Sequence, residues 1–280
     1  MMKEKIGCFV FDSTKPTTMK YGYYYKAMLD APFSKEQRTI RVWLPEDYDF
    51  HNPDKRYPVI YFSDGQNLVN KYLTAFGDWE LDKVAHQLYE DNNISFIGVG
   101  IDSPQDDLMR TNELTPPYLS KKSKEISDPK ADVFVDFICD TLKPLIDNLF
   151  YTKTDKENTA IGGSSMGGIM AFYGGVRRSD VFGFALDFSP AFLVYGNREW
   201  KEILESLDIS PSNNVKHFFY VGGVDFEKNF ISSTVMTYKY LLKKGFTTNN
   251  CALIIDTRMR HHEEAWHKYL KDAITFWFTK

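Results

Sequence analysis

Two hydrophobic periods alternate along this chain. Arg38-Thr39-Ile40-Arg41-Val42-Trp43-Leu44 switches between apolar and polar positions, as a half-buried strand does. Pro58–Phe62, Ile94–Gly100, Gly183–Phe188, His217–Val221 and Ala252–Ile255 are near-continuous apolar runs, which predict strands buried on both faces. Between them, apolar residues recur at three- and four-residue spacing over Trp79–Leu88 (after a cap at Asp78), Asp132–Leu149, Met166–Val176, Val235–Leu242 and Glu263–Phe278, predicting helices. The first ~50 residues read as antiparallel strands, and β and α alternate afterwards. The expected fold class is α/β, a mostly parallel central sheet with helices on both faces and an antiparallel N-terminal portion. No repeat, low-complexity tract or Gly/Ser linker interrupts the pattern, so residues 1–280 are expected to form one domain.

One stretch, residues 102–129, has little periodicity and carries Pro104, Pro116, Pro117, Pro129 and the charged run Lys121-Lys122-Ser123-Lys124-Glu125. Long unstructured loops are uncommon in compact domains and are often functional, so a lid or site wall is weighed here against a solvated insertion.

Composition narrows the class. With 43% apolar and 26% charged residues the chain can fill a core and is not a disordered sequence. Its 34 basic and 38 acidic side chains give a net charge of −4, with no long basic run. That argues against nucleic acid or an anionic membrane as partner. Cys8, Cys139 and Cys251 lie far apart without zinc-ligand spacing and read as small core residues. The short run Ile6–Val10 is no secretory leader, and no stretch reaches the ~18 apolar residues of a membrane helix, so the expected location is the cytoplasm.

The strongest chemical signal is Gly163-Ser164-Ser165-Met166-Gly167, a G-x-S-x-G between an apolar strand and a helical pattern. A chain turning that sharply exposes the serine hydroxyl and brings the residues two before and two after it together, where only glycine fits. The helix that follows aims its positive end at developing negative charge. Ser165 is the candidate nucleophile. The alternative is a glycine-rich turn with incidental serines, which the strand–helix context disfavours.

A serine nucleophile needs a base. His51, His86 and His217 sit in a polar turn, a helix and a strand start, and read as structural or solvent-facing. His261-His262 follows the last apolar strand across a short polar loop, at the strand edge where ligands bind in such sheets. His262 and His267 are five apart and diverge by about 140° on a helix, so they cannot share a zinc ion. No metal or cofactor is expected. For the orienting carboxylate, Asp225 follows the Gly222-Gly223 turn directly and is preferred, with Glu227 in reserve. Asp187 is read as structural. The oxyanion-binding amides are expected from Met166, directly after the nucleophile, and from Gln66 in the loop Ser63–Asn67.

With these residues placed, the chain resembles the putative-esterase family of α/β hydrolases, which includes enterochelin esterases, feruloyl and acetyl-xylan esterases, S-formylglutathione hydrolase and mycolyltransferases. The resemblance runs over residues 36–275. It rests on Arg41-Val42-Trp43-Leu44-Pro45 with Tyr48, on Tyr57–Leu68, on Arg110, Glu113 and Pro116 as an R-x-x-E-x-x-P element, and on the elbow Gly163–Gly168. It also implies that the catalytic histidine stands five before a tryptophan, which selects His261 over His262 because Trp266 follows. The family pattern of an acid shortly after a glycine fits Asp225 and leaves Glu227 open. The implied activity is cofactor-independent hydrolysis of a small-molecule ester by a Ser-His-Asp triad. An acyltransferase with the same triad and a non-catalytic binding protein on the same scaffold are the alternatives, and the ester itself is not legible.

Overall fold

The computed structural model describes residues 3–14, 17–74, 77–118 and 126–279. Ten strands form one sheet, in chain order β1 (Lys5–Ile6), β2 (Phe9–Phe11), β3 (Tyr23–Leu29), β4 (Arg38–Leu44), β5 (Val59–Ser63), β6 (Ile97–Ile101), β7 (Thr159–Ser164), β8 (Phe184–Phe188), β9 (Lys216–Gly222) and β10 (Cys251–Asp256). Their spatial order is β1-β2-β3-β4-β6-β5-β7-β8-β9-β10. The pairs from β1 to β4, and β4 with β6, are antiparallel, whereas β6, β5, β7, β8, β9 and β10 run parallel. This is the α/β-hydrolase arrangement.

Among the described residues, eight α-helical segments cover the sheet: α1 (Leu81–Asn92), α2 (Asp107–Leu114), α3 (Ala131–Phe137), α4 (Lys143–Leu149), α5 (Met166–Arg177), α6 (Asn197–Ser206), α7 (Lys228–Lys243) and α8 (Glu263–Phe278). The apolar runs are continuous because both faces of the central strands are covered. Tyr61, Ile161, Phe219 and Val221 enter one core, beneath α3, α5, α6 and α7. Their neighbours Ile60, Phe62, Ala160, Phe218 and Tyr220 enter the other, beneath α1 and α8. Each such fully buried Ile or Phe contributes about 1.5–3 kcal/mol relative to an exposed one.

Several boundaries differ from the sequence expectation. Segment 102–129 is not structureless: Asp106 caps α2 by accepting from the Met109 amide at 2.8 Å. Residues 119–125 of that segment lie outside the described residues. Helix α1 starts at Leu81 after a left-handed Glu80, while Asp78 instead accepts from the Thr18 hydroxyl at 3.2 Å. The helical run Ala131–Leu149 contains a wider turn at Ile138–Leu142, next to Pro144, which has no amide to give the α-helical ladder. Cys8, expected in the core, is exposed in the turn between β1 and β2, whereas Cys139 and Cys251 are buried. Helix α7 begins at Lys228, seven residues before the expected start, and this shift carries the acid assignment with it.

Candidate active site

The parallel strands deliver the chemistry-bearing residues to their shared carboxyl edge. Ser165 follows β7 and precedes α5, at φ 59° and ψ −119°, a conformation few L-residues adopt. Such strain costs of order 1–3 kcal/mol and persists only where neighbours hold it. Here the Ser165 amide donates to the Phe188 carbonyl at 3.0 Å, and the Ser165 carbonyl accepts from the Ala191 amide at 3.0 Å. The glycine spacing has the expected cause: a Cβ on Gly163 would lie 2.6 Å from the Gly167 carbonyl oxygen, and one on Gly167 would strike the Ser63 hydroxyl. Met166 is the first residue of α5, in the turn whose amides have no intrahelical acceptor.

His261 lies in the loop between β10 and α8. Its Nδ1 is hydrogen-bonded to Glu227 Oε2, and its ring is held among Phe230, Phe226 and Trp266, with centroids 4.6, 5.9 and 5.1 Å away. Glu227 is fully buried. Its other oxygen, Oε1, accepts from the Ser189 hydroxyl at 2.5 Å and from the Gly222 amide at 2.8 Å. The Trp266 indole N–H donates to Ser189 Oγ at 2.9 Å, which commits the Ser189 proton to Glu227. A physical reason for a tryptophan five residues after His261 is thereby on view: through Ser189 it holds the carboxylate that meets the imidazole.

Asp225, preferred from the sequence, does not meet the imidazole. Its side chain is 70% exposed and pairs with Arg260 Nε at 3.3 Å. The reserve residue Glu227 takes the place assigned to it. The short helical turn Asp225–Glu227 leads straight into α7, so Glu227 points back beneath the strand end while Lys228 and Asn229 face water. The sequence signal was muted because α7 buries Phe230, Ser233, Thr234, Thr237 and Leu241, a stripe in which three of five residues are hydroxylic.

The remaining histidines are placed elsewhere. His262 caps α8, its Nδ1 accepting from the Glu264 amide at 3.3 Å. His217 and Asp187 form a buried pair at 2.9 Å within the sheet, and burial holds the Asp187 carboxyl above its ordinary range. Among the described residues, Glu46, His86 and Glu90 are close enough to share a metal ion, but none of them lines the cleft described next.

Ser165, His261, Gln66, Asp64, Arg110 and Glu263 line one cleft of about 590 Å³. Its charges are largely paired: Arg41 forks onto Asp102 at 2.8 and 2.9 Å, and Arg110 onto Asp64 at 2.6 and 2.8 Å. Burial opposes ionisation of Asp64, yet Arg110 and the Ser103 hydroxyl outweigh it and hold the carboxyl below its usual range. Burial pushes the Glu263 carboxyl up to about 7. Gln66 occupies the helical turn Gly65–Asn67, where its amide has the same orphan status as that of Met166, and Asn67 Nδ2 donates to Glu263 at 3.2 Å. The stretch Asp102–Arg110 of the unread segment forms one side of the cleft.

A mostly parallel sheet with a strained serine at a strand–helix elbow, facing a cleft shared with a carboxylate-held histidine, defines an α/β hydrolase. Comparison with known proteins narrows the class. Residues 33–235 match the family model described as Putative esterase, and the chain belongs to that family. Ester hydrolysis is the activity this membership carries. Solved structures with the same fold include the siderophore hydrolase EstB from Aspergillus nidulans (TM-score 0.68, 18% identity, 92% of this chain and 97% of that one). A ferulic acid esterase from Anaeromyces mucronatus is similar at TM-score 0.60 and 17% identity, over 98% of this chain and 99% of that one. The enterobactin esterase FES from Shigella flexneri gives 0.66 and 14%, over 94% of this chain and 61% of the other. No helix among the described residues is long and apolar enough to cross a membrane.

Proposed function

We propose that this esterase hydrolyses a small-molecule carboxylic ester through an acyl-enzyme on Ser165, with His261 as general base and Glu227 as the carboxylate that orients it. The observation that carries the reading is the bond from the fully buried Glu227 to His261, which lines the same cleft as the strained serine. The Glu227 carboxylate accepts a hydrogen bond from Nδ1–H, so Nε2 is left with its lone pair, ready to take the proton of the serine hydroxyl. Ser165 Oγ then attacks the ester carbonyl, and the negative oxygen of the tetrahedral intermediate is received by the amides of Met166 and Gln66. His261 returns the proton to the leaving alcohol. Water, deprotonated by the same imidazole, releases the acid.

The substrates named for the structural neighbours, siderophores and ferulic acid esters, define the first compounds to try. Beside the His261 ring, Phe226 is 57% exposed and offers an apolar surface to an acyl or aryl group that extends past the histidine. The test is labelling by a fluorophosphonate, peptide mapping, and turnover of p-nitrophenyl, feruloyl and catecholate trilactone esters by the parent and Ser165→Ala. The variant should stay folded and lose label and turnover together, by orders of magnitude. Full turnover by Ser165→Ala would end the proposal.

A further inference from the structure

The mechanism uses the Gln66 amide but leaves unexplained what fixes it. The loop carrying it is unusual. Asp64, immediately before the Gly65–Asn67 turn, sits at φ 54° and ψ 46°, a left-handed conformation that a residue with a Cβ enters at a cost of roughly 1–2 kcal/mol. Gly65 lies so tightly on β6 that a Cβ there would come within 2.5 Å of the Gly100 carbonyl carbon. Such a loop is held from outside, and its side chains identify the holders.

The Asp64 carboxylate is buried beside the nucleophile elbow, with Oδ2 at 3.4 Å from where a Cβ of Gly167 would stand. It accepts Arg110 Nε on Oδ1 at 2.6 Å and Arg110 Nη2 on Oδ2 at 2.8 Å, and the Ser103 hydroxyl on Oδ1 at 2.6 Å. Ser103 also donates its backbone amide to Gln66 Oε1 at 3.0 Å. Arg110 comes from α2, inside the segment the sequence could not read, and α2 is braced at its far end where Glu113 binds Arg38 at 2.6 Å. A planar guanidinium fixes both oxygens of a carboxylate at once, which a single-point cation cannot do.

We infer that Arg110 is a positioning residue for ester hydrolysis: by clamping Asp64 in its left-handed conformation against the elbow, it sets where the Gln66 amide stands relative to Ser165. The inference rests on the assignment of Gln66 as an oxyanion donor. Its role is realised in the tetrahedral intermediate, when charge reaches the carbonyl oxygen, and not in the ground-state complex. A displacement near 1 Å is enough to cost about 10²-fold in turnover.

The experiment compares Arg110→Lys with the parent on p-nitrophenyl acetate, and measures inhibition by a trifluoromethyl ketone that forms a tetrahedral adduct with the serine. Lys keeps the charge and loses the fork. The expected result is a fall in kcat of about 10²-fold, KM within about twofold, and adduct affinity lowered by the same factor as kcat/KM. A raised KM with unchanged kcat would mean that Arg110 touches substrate, and unchanged kcat and adduct affinity would mean that it positions nothing; either overturns the inference. Should Arg110→Lys fail to fold, Ser103→Ala removes one of the three bonds to Asp64. It should then lower kcat severalfold, with KM unchanged and adduct affinity falling in step; no change would overturn the inference. Ser165→Ala separates this outcome from failure of the serine mechanism itself. If Ser165→Ala is dead while the Arg110 variant is normal, only the positioning role falls.

Discussion

Replacing Glu227 by Gln tests the acid assignment at one atom, and the outcome follows from hydrogen-bond polarity. Oε1 faces two donors, the Ser189 hydroxyl at 2.5 Å and the Gly222 amide at 2.8 Å. Ser189 cannot turn its proton elsewhere without meeting the Trp266 N–H, which already points at its oxygen. A glutamine here therefore keeps its carbonyl oxygen at the Oε1 position and presents its NH2 to His261 Nδ1. An NH2 can only donate, so Nδ1 must accept, and the imidazole proton moves to Nε2. That tautomer cannot take the serine proton. The same error in another Ser-His-Asp triad costs about 10⁴-fold in kcat, or about 5.4 kcal/mol of transition-state stabilisation. The assay is kcat on one p-nitrophenyl ester for Glu227→Gln and Asp225→Asn, each checked for native fold by circular dichroism. Glu227→Gln should lose about 10⁴-fold. Asp225→Asn should stay within a few-fold of the parent, because its exposed pair with Arg260 contributes at most about 1 kcal/mol. A crippled Asp225→Asn beside a normal Glu227→Gln would refute the polarity argument and restore the choice made from sequence.

Two further outcomes follow from the same geometry. His261→Ala should lose several orders of magnitude in kcat, whereas His262→Ala should keep most activity and lose about 0.5–2 kcal/mol of stability with its α8 cap; the reverse ranking of activities would overturn the histidine assignment. Burial pushes the Glu263 carboxyl up to about 7 from an ordinary 4.5, so it contributes stability that is complete below about pH 4.5 and is lost as pH rises through 7. Its contribution is on the order of 3 kcal/mol; Glu263→Gln should flatten the fall in urea-unfolding free energy between about pH 4.5 and pH 7, and an unchanged slope would show that the carboxyl ionises as freely folded as unfolded.

How much of this was legible beforehand depended on how strongly each residue marks its own chain. The central strands announce themselves because burial on both faces demands unbroken apolar runs. β4 and α8 begin and end where the pattern places them. Ser165 was legible because the elbow needs glycine at both Gly163 and Gly167, a requirement of backbone collision written directly into the residue types. Glu227 was harder to read. Its position depends on where α7 starts, and the hydroxylic residues Ser233, Thr234 and Thr237 on the buried face hid that start from a hydrophobicity count. They are satisfied locally, each donating to a carbonyl three or four residues back, so they enter the core without an apolar signature. Helix α2 was hidden for a different reason: Leu108 and Met109 are exposed, and the helix is fastened to the fold partly by the ion pairs of Arg110 and Glu113. Helix α6 shows Trp200, Ile203 and Leu204 at helical spacing and was missed outright.

The end of β8 ties these pieces into one device, although neither of its residues reacts. The Phe188 carbonyl accepts from the Ser165 amide and so helps hold Ser165 in its strained conformation. The next residue, Ser189, is itself left-handed at φ 42°, fully buried, and anchored by its amide to the Tyr220 carbonyl of β9 at 2.6 Å. Its hydroxyl passes the Trp266 contact on to Glu227. One dipeptide thus holds Ser165 on one side and Glu227, the carboxylate bonded to His261, on the other, with Phe188, Ser189 and Glu227 all fully buried. Preorganised catalysis requires that nucleophile and base keep their separation while charge moves between them. Two strained residues, Ser165 and Ser189, joined through Phe188 supply that rigidity at the carboxyl edge of the sheet. A loop carrying Asp225 in the exposed position it occupies could not have supplied it.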